Sequence, residues 1–544
     1  MKHLCSYLIG AGCAGFLSIT CFGQTAPLFT PVTSATGPTP SHVYALDVNN
    51  DGLSDIIQDS ASPGITGEFF SVSINLGNGI FAPPVIYKIN SSDWTPLTWG
   101  DFNNDGKVDI AVVLAGTNQV AIYLGNGDGT FQKPITTTVD LPSGMALGGF
   151  GPQPSIVAAD FNHDGNQDLV TAANNGNNTG GIWTIYLLEG NGAGAFNTSP
   201  TAIYAPTSGW AVQTIVGGDF DTDGNADVSL LEQMWCGGIV VCASNVVTLF
   251  GNGDTTFDPV DVTTVDGTMT LGSADLNNDG ATDLYGIEDG DAQNGSYGIN
   301  PGGTRLSVFL GHYGREFSYL YTSIPSYEDQ SVGTPFAVAD FNGTGNWALA
   351  ALTTNYTDSS GTQLIYFLNA GRTPNISFVY GPSPAGNGTY QTGPVVGNFN
   401  GDQKPDIAIN NSASINSAAT TLAVGLNANN DAGFYGECNY PSSGQGIHLC
   451  SPTTTGTNPN NPIIFSATAN SFGQLRKMEV WVDGVKLGET HQIWGQSAYF
   501  YFLYPSVSPG NHSATIYAAN IDDTLQRYDF TFTAGPSNSL SESK

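Results

Sequence analysis

The chain has 544 residues, with 13 lysines and arginines against 46 aspartates and glutamates, so its formal net charge is -33. This charge excludes nucleic acid and anionic membrane surfaces as partners, because both would repel the protein. The length leaves room for more than one domain.

The first residues have the pattern of a secretory signal peptide. A short basic start is followed by an apolar run that ends at Phe22, and small residues precede a cleavage site after Gly23. No later stretch is apolar and long enough to span a bilayer. We therefore predict a leader over residues 1–23 and a secreted, extracellular protein with no membrane span, and association with the cell surface is an alternative. A lipid anchor at Cys13 or Cys21 is the alternative, although neither cysteine follows a leucine-anchored lipoprotein sequence.

A loop of the form D-x-[DN]-x-D-G-x-x-D occurs five times, with oxygen-bearing side chains at positions one, three, five and nine. These residues are Asp47, Asn49, Asp51 and Asp55; Asp101, Asn103, Asp105 and Asp109; Asp160, Asn162, Asp164 and Asp168; Asp219, Asp221, Asp223 and Asp227; and Asp275, Asn277, Asp279 and Asp283. Calcium takes six to eight oxygen ligands, and oxygens on alternate residues of a tight turn converge on one point. One such loop would be read as a solvated surface turn. Five copies predict Ca2+ sites, with the carbonyl of position seven as a further ligand.

Two further copies of the loop are degenerate. The sixth keeps one carboxylate, Asp340, and we predict that it binds no calcium. The seventh keeps Asp402 and Asp406 but has Gln403 in place of the glycine, and whether it binds calcium is left open.

The seven loops begin at residues 47, 101, 160, 219, 275, 340 and 398, and a period of this size indicates a repeat architecture. In each repeat, one short apolar stretch precedes the loop and a second follows it. A third stretch ends in a glycine-rich turn such as Gly125–Phe131, and a fourth leads to the next repeat. The glycine-rich turns continue into strand-like sequence, whereas a phosphate-binding turn would precede a helix. Four strands without helical periodicity predict a β-propeller blade.

The aspartate loop together with the turn L-G-N-G-D-G-T-F resembles the FG-GAP and VCBS repeats of integrin alpha-chain heads and of many secreted bacterial proteins. The resemblance covers roughly residues 27 to 434. It implies an all-β protein with a seven-bladed β-propeller, which we assign to residues 24–434, and calcium in the loop between strands one and two of a blade. The segment Leu28–Val32 precedes the first loop at a fourth-strand position, so we predict that it completes the last blade.

Beyond the repeats, alternating residues from Ile463 to Phe532 predict a small β-sandwich. The stretch M-E-V-W-V-D-G-V-K resembles bacterial immunoglobulin-like modules, so we assign an Ig-like domain to residues 435–537 and a disordered tail to residues 538–544. Such a module would be a spacer, with carbohydrate binding as the alternative.

Seven cysteines occur, of which three lie in the predicted leader. The other four form two local pairs, Cys236 with Cys242 and Cys438 with Cys450. In an exported chain such pairs predict two disulfide bonds. A zinc site is disfavoured because the histidines are scattered.

The strands of a blade alternate in direction, so the aspartate loops and glycine turns share one face of the ring. The opposite face receives the long insertions Asp59–Glu68, Asn174–Trp183, Trp235–Asn245 and Glu288–Arg305. Six aromatic residues lie in or beside them, namely Trp94, Trp183, Trp210, Trp235, Tyr297 and Tyr327. Exposed aromatic rings among small polar residues suit a glycan or a protein surface. The alternative for each ring is that it packs in a blade core.

Known catalytic patterns such as G-x-S-x-G and H-E-x-x-H do not occur. The leading hypothesis is therefore a monomeric, calcium-binding scaffold for binding or adhesion to an extracellular glycan or protein. The alternatives are a carbohydrate-binding lectin and a polysaccharide lyase or hydrolase, so enzymatic activity remains open. Arg305, His312 and Arg315 form a basic cluster near these loops, and Arg315 is expected on the calcium face.

Overall fold

The computed structural model describes residues 29–534 with gaps, and the predicted leader and tail lie outside the described residues. The gaps are 37–41, 61–67, 90–95, 149–154, 177–180, 237–239, 259–260, 266–267, 277–279, 290–303, 313–314, 324–329, 333–336, 342–347, 356–362, 370–375, 383–389, 403, 413–419, 428–445, 452–456, 459–462, 505–509 and 521–523. Nowhere in the described part is there a helix with the length and apolar character needed to cross a membrane.

Strand β1 (Phe29–Thr36) precedes the first four blades in the chain. Blade one has β2 (His42–Leu46), β3 (Asp55–Ser60), β4 (Glu68–Ser73) and β5 (Val85–Ile89). Blade two has β6 (Leu97–Gly100), β7 (Asp109–Leu114), β8 (Gln119–Tyr123) and β9 (Ile135–Thr138). Blade three has β10 (Ala146–Leu147), β11 (Ile156–Ala159), β12 (Asp168–Asn174), β13 (Trp183–Leu188) and β14 (Thr201–Tyr204). Blade four has β15 (Trp210–Gly218), β16 (Asp227–Cys236), β17 (Val240–Leu249) and β18 (Asp261–Val265).

The remaining three blades have the same antiparallel order. Blade five has β19 (Thr268–Met269), β20 (Gly272–Ala274), β21 (Asp283–Asp289), β22 (Thr304–His312) and β23 (Glu316–Ser323). Blade six has β24 (Gln330–Val332), β25 (Ala337–Ala339), β26 (Ala348–Asn355), β27 (Gln363–Asn369) and β28 (Ile376–Pro382). Blade seven has β29 (Tyr390–Gly397), β30 (Asp406–Ser412) and β31 (Thr420–Asn427). In blades three, five and six the first strand is split into two short pieces, which both pair with the second strand.

The amino-terminal strand closes the ring. Strand β1 pairs antiparallel with β31, from Phe29 opposite Asn427 to Thr36 opposite Thr420, so blade seven gains its fourth strand from the start of the chain. The prediction that this segment completes the last blade is confirmed for its described residues, 29–32.

Seven apolar clusters lie between neighbouring blades and join blade one to blade two, and so on, until blade seven meets blade one. In blade one, Ile57 packs toward blade two while its neighbour Ile56 packs toward blade seven. The inner strands therefore bury both faces, which explains runs such as Asp109–Leu114 with every residue buried. Burial of one such side chain contributes about 1.5–3 kcal/mol. The seven sheets and the clusters between them confirm the seven-bladed β-propeller.

The carboxy-terminal part is a separate β-structure with its own core. Its strands are β32 (Gly446–Ser451), β33 (Thr457–Asn458), β34 (Ile463–Val482), β35 (Val485–Tyr504), β36 (Gly510–Asn520) and β37 (Leu525–Ala534). Strand β34 pairs with β32 before a register shift that begins after Asn470 and with β36 beyond it, while β35 pairs along both halves. Two predicted strands, 463–467 and 477–482, are thus halves of one long strand. The Ig-like arrangement remains a prediction.

Both predicted disulfide bonds remain predictions, because the side chains of these cysteines lie outside the described residues. The backbone places Cys236 opposite Val240, beside a register shift that leaves Cys242 between the paired residues Val241 and Ala243. Peptide mass mapping of a non-reduced digest should show Cys236 linked to Cys242 and Cys438 linked to Cys450. Any other pairing, or free thiols at these positions, would contradict the prediction.

Candidate metal centre

Each aspartate loop connects the first and second strands of a blade, and its position-nine residue begins the second strand. Six position-nine aspartates have no exposed surface, namely Asp55, Asp109, Asp168, Asp227, Asp283 and Asp406. A buried carboxylate is costly unless hydrogen-bond donors surround it. Each of these side chains is therefore expected to have hydrogen-bond donors around it.

Both oxygens of the position-nine carboxylate accept backbone hydrogen bonds. In blade two, Asp109 Oδ2 accepts from the N–H of Phe102 at 3.0 Å, and Oδ1 accepts from the N–H of Gly125 at 2.7 Å. The corresponding donors are Val48 and Asn75; Phe161 and Gly190; Phe220 and Gly251; Leu276 and Gly311; and Phe399 and Asn427. This side chain thus ties the aspartate loop to the turn that follows the third strand of its own blade, which we call the third turn. Because these bonds join the two turns, the aspartate loops and the glycine-rich turns lie on the same face of the ring, as predicted.

In blades two to five, the third turn approaches the loop so closely that a glycine is required at its start. A β-carbon on Gly125 would lie 2.1 Å from the carbonyl oxygen of Val108, a distance that real structures do not tolerate. The glycine of the turn is therefore needed for this contact and not for binding a phosphate group.

The position-one carboxylate organises the rest of the loop. Asp101 accepts from the N–H of Asp105 at 3.0 Å and from the N–H of Gly106 at 2.8 Å. Left-handed backbone at Asn104 (φ 57°) and Gly106 (φ 80°) allows this tight winding. The first and third loops have the same bonds. The loops are thus wound around their first carboxylate, with the position-five side chain at the surface.

In the fourth loop, three buried carboxylates converge. Asp219, Asp221 and Asp227 are 6%, 3% and 0% exposed, and one oxygen from each lies within 4.8 Å of the other two. Among the described residues, no other group of three acidic, histidine or cysteine side chains comes this close. Carboxylates at such distances repel one another unless a cation or protons neutralise them. An all-oxygen donor set is what a hard divalent cation takes, so these residues fit a metal ion.

The other predicted ligands are placed less completely. In the fifth loop, Asp275 and Asp283 are buried, whereas Asn277 and Asp279 fall outside the described residues. In the sixth loop, Ala348 begins the second strand where the other blades have the position-nine aspartate. The predictions for these loops, and for calcium at loops one to three, remain predictions.

The seventh loop has a different winding. Its first residue, Asn398, accepts from the N–H of Gly401, at position four, at 2.9 Å. Asp406 keeps both of its backbone bonds, so this loop holds its structure with fewer carboxylates. Whether the seventh loop binds calcium stays open.

Burial raises the pKa of the position-nine carboxyls in the metal-free protein, to about 8 for Asp55 and to about 7 for Asp109 and Asp168. These values lie above those of the unfolded chain, so the groups favour folding at low pH, and this contribution is lost as pH rises toward 8. In chelator, the melting temperature should therefore fall between pH 5 and pH 8. A bound dication favours the ionised form, so the difference between calcium-loaded and calcium-free protein should increase over the same interval. Differential scanning calorimetry in both states checks this, and a calcium effect that shrinks with rising pH would contradict it.

On the opposite face, the structure confirms for one aromatic ring the interpretation that it packs in a blade core. Trp183 is 1% exposed and packs with Trp235 in the cluster between blades three and four, so this ring belongs to a blade core. Trp94, Tyr297 and Tyr327 lie outside the described residues. Sequence reasoning also missed Glu232, a buried carboxylate that accepts hydrogen bonds from the Tyr204 hydroxyl at 3.1 Å and from Asn245 at 3.0 Å.

Comparison with known families identifies the repeats. The sequence model of a family described as FG-GAP-like repeat matches residues 101–171 and 160–229. The chain therefore carries FG-GAP-like repeats in its amino-terminal region, over the second, third and fourth loops. No curated protein matches the chain.

Several solved structures are similar at low identity. A periplasmic gluconolactonase of Pseudomonas aeruginosa is 12% identical, with a TM-score of 0.39, over 71% of this chain and 96% of that one. An ancestral GH74 enzyme is 12% identical, with a TM-score of 0.37, over 93% of this chain and 64% of that one. A mutant apocarotenoid oxygenase of Synechocystis is 11% identical, with a TM-score of 0.25, over 66% of this chain and 97% of that one. The fold assignment depends on the sheet order and not on these similarities.

Proposed function

We propose that the protein is an exported, calcium-binding β-propeller that acts as a binding or adhesion scaffold for an extracellular glycan or protein. The observation that carries the calcium assignment is the convergence of Asp219, Asp221 and Asp227, with one oxygen of each inside 4.8 Å. The same loop pattern recurs in blades one, two, three and five. Calcium would neutralise carboxylates that otherwise repel one another within each loop.

The bonding of the loops supports a structural role for the ion. Position one of a loop contacts the next blade: the N–H of Asp219 donates to Thr282 Oγ1 at 3.0 Å, and its carbonyl accepts from the N–H of Thr282 at 2.8 Å. Asn398 and Ser54 form the same pair of bonds between blades seven and one. A cation held by position one would therefore stiffen the junction between blades. The loops on the opposite face would then be free to contact a ligand.

The calcium part of the proposal is tested by metal analysis of the full chain after saturation with calcium and removal of excess ion. We expect about five ions per chain, one for each complete loop. Fewer than about four would contradict the assignment of all complete loops.

The ligand is tested on a glycan array and on immobilised extracellular-matrix proteins, each with calcium and with chelator. We expect calcium-dependent binding, because the ring that positions the opposite face would loosen without the ion. If chelator left ligand binding unchanged, the proposed coupling between calcium binding and ligand binding would be contradicted. Release of unsaturated or reducing sugar ends from an arrayed polysaccharide would contradict a scaffold and favour a lyase or hydrolase.

A further inference from the structure

The third turns of blades one to five have a common backbone geometry. Five residues separate a paired glycine or asparagine from a paired phenylalanine, as in Gly125 and Phe131 of blade two. The fourth of the five residues has left-handed backbone in every case. These residues are Gly79, Gly129, Gly194, Thr255 and Arg315, with φ of 71°, 81°, 76°, 70° and 68°. Glycine suits this conformation, and an arginine there is strained.

This turn position lies against the aspartate loop of the preceding blade. The N–H of Gly194 in blade three donates to the carbonyl of Phe102, which is position two of the loop in blade two, at 2.8 Å. Gly79 in blade one makes the same bond to Phe399 of blade seven at 2.9 Å. A long side chain at this position in blade five therefore reaches the loop of blade four.

Arg315 contacts three carboxylates of blade four. Its Nε donates to Asp221 Oδ2 at 2.8 Å, and a terminal nitrogen lies 3.4 Å from Asp223 Oδ2. The other terminal nitrogen donates to Asp258. The guanidinium carbon lies 5.4 Å from the centre of the Phe250 ring, close enough for a cation–π contact. Because the Asp221 side chain is only 4% exposed, solvent screens this ion pair less than a surface pair.

Two departures from the repeat thus occur at the same place. Among the five complete loops, position three is an aspartate only in the fourth loop, at Asp221. The other four loops have an asparagine there. The left-handed turn position is glycine or threonine in blades one to four, and blade five has Arg315. The extra negative charge and the unusual positive charge form an ion pair, so each explains the other.

We infer that Arg315 is the resident cation of the fourth loop, where it neutralises Asp221 and Asp223 and holds the loop closed without a metal ion. Arginine and calcium compete for the same Asp221 oxygen, so the fourth loop binds calcium more weakly than loops one to three. This second statement rests on the proposed calcium binding, whereas the first does not.

The first statement is tested in chelator by hydrogen exchange with mass spectrometry. In the wild-type protein, a peptide over residues 219–226 should exchange more slowly than one over residues 101–108. Arg315→Gly, which restores the common turn residue, and Arg315→Gln should both remove that protection. Lys107→Gln is the matched control, because Lys107 pairs with Asp105 of its own loop and not with a neighbouring blade. If both Arg315 variants kept the protection from exchange, the inference that Arg315 holds the fourth loop closed would be overturned.

The second statement is tested by calcium titration calorimetry, with calcium-induced protection of residues 219–226 identifying the site. Arg315→Gly should raise the affinity of the fourth loop by about tenfold, a usual size for the coupling of adjacent charges. The double variant Asp221→Asn, Arg315→Gly should bind there as tightly as loops one to three. If the calcium affinity of the fourth loop were unchanged in Arg315→Gly, the inference that arginine and calcium compete for Asp221 would be overturned. If no variant binds calcium while exchange responds to Arg315, the proposed calcium function fails and the resident cation stands.

Discussion

Chelation of calcium should lower the melting temperature of the propeller by about 8 °C. At free calcium ten times the dissociation constant, each site adds about 1.4 kcal/mol to the folded state, and five sites add about 7 kcal/mol. An unfolding entropy of about 2.1 cal/mol/K per residue over about 400 residues converts this free energy into roughly 8 °C. The effect approaches the whole net stability of a typical domain.

The carboxy-terminal domain supplies an internal control for that experiment. Its core, which includes Phe465, Met478 and Ile516, is separate from the seven clusters of the ring, and it contains no aspartate loop. Its transition should therefore stay where it is when calcium is removed. Calorimetry of the full chain with calcium, with magnesium and with chelator resolves the two transitions. A propeller transition that chelator leaves in place would mean that the loops are only acidic turns.

The fold could be predicted from the sequence because the repeat makes each blade confirm the others. Seven loop positions at a regular period fix the number of blades. The position of the segment before the first loop predicts ring closure, which the pairing of Phe29 with Asn427 shows. The core follows from composition, since strands such as Asp109–Leu114 are apolar on both faces and must be buried on both.

The site could be predicted only in part, because its partners are distant in the sequence. The spacing of the loop shows that Asp109 has an oxygen to offer, but not that Gly125, in another turn, already donates to it. Arg315 is 94 residues from Asp221, and nothing local in the sequence links them. For Trp183, a position beside an insertion is compatible with exposure and with core packing, and only the cluster between blades three and four shows that the ring packs in a core. Local sequence patterns identify which chemical groups a residue offers, whereas the contacts between distant segments determine which partners those groups bind.

Replacement of Asp109 by alanine should destabilise the propeller with calcium and also without it. The carboxylate accepts from two buried N–H groups, of Phe102 and Gly125, and alanine would leave both unsatisfied. At about 1–3 kcal/mol for each buried unsatisfied group, the expected loss is roughly 2–6 kcal/mol. Chemical unfolding of the variant and the wild type, each in calcium and in chelator, measures that loss.

Asp105→Ala is the matched variant within the same loop. Asp105 is partly exposed and accepts from the N–H of Lys107, two residues along the chain, so it does not tie the loop to another turn. Its replacement should therefore destabilise the protein in calcium, where a ligand is lost, and change little in chelator. If Asp109→Ala also lost its effect in chelator, then the position-nine carboxylate would act only as a metal ligand. Burial raises the pKa of Asp109 to about 7, so near that pH the metal-free protein holds this carboxyl partly as the neutral acid. The ionised form is costly to bury, so the contribution of Asp109 to stability in chelator falls as pH rises, and the destabilisation by Asp109→Ala should be larger at pH 6 than at pH 8.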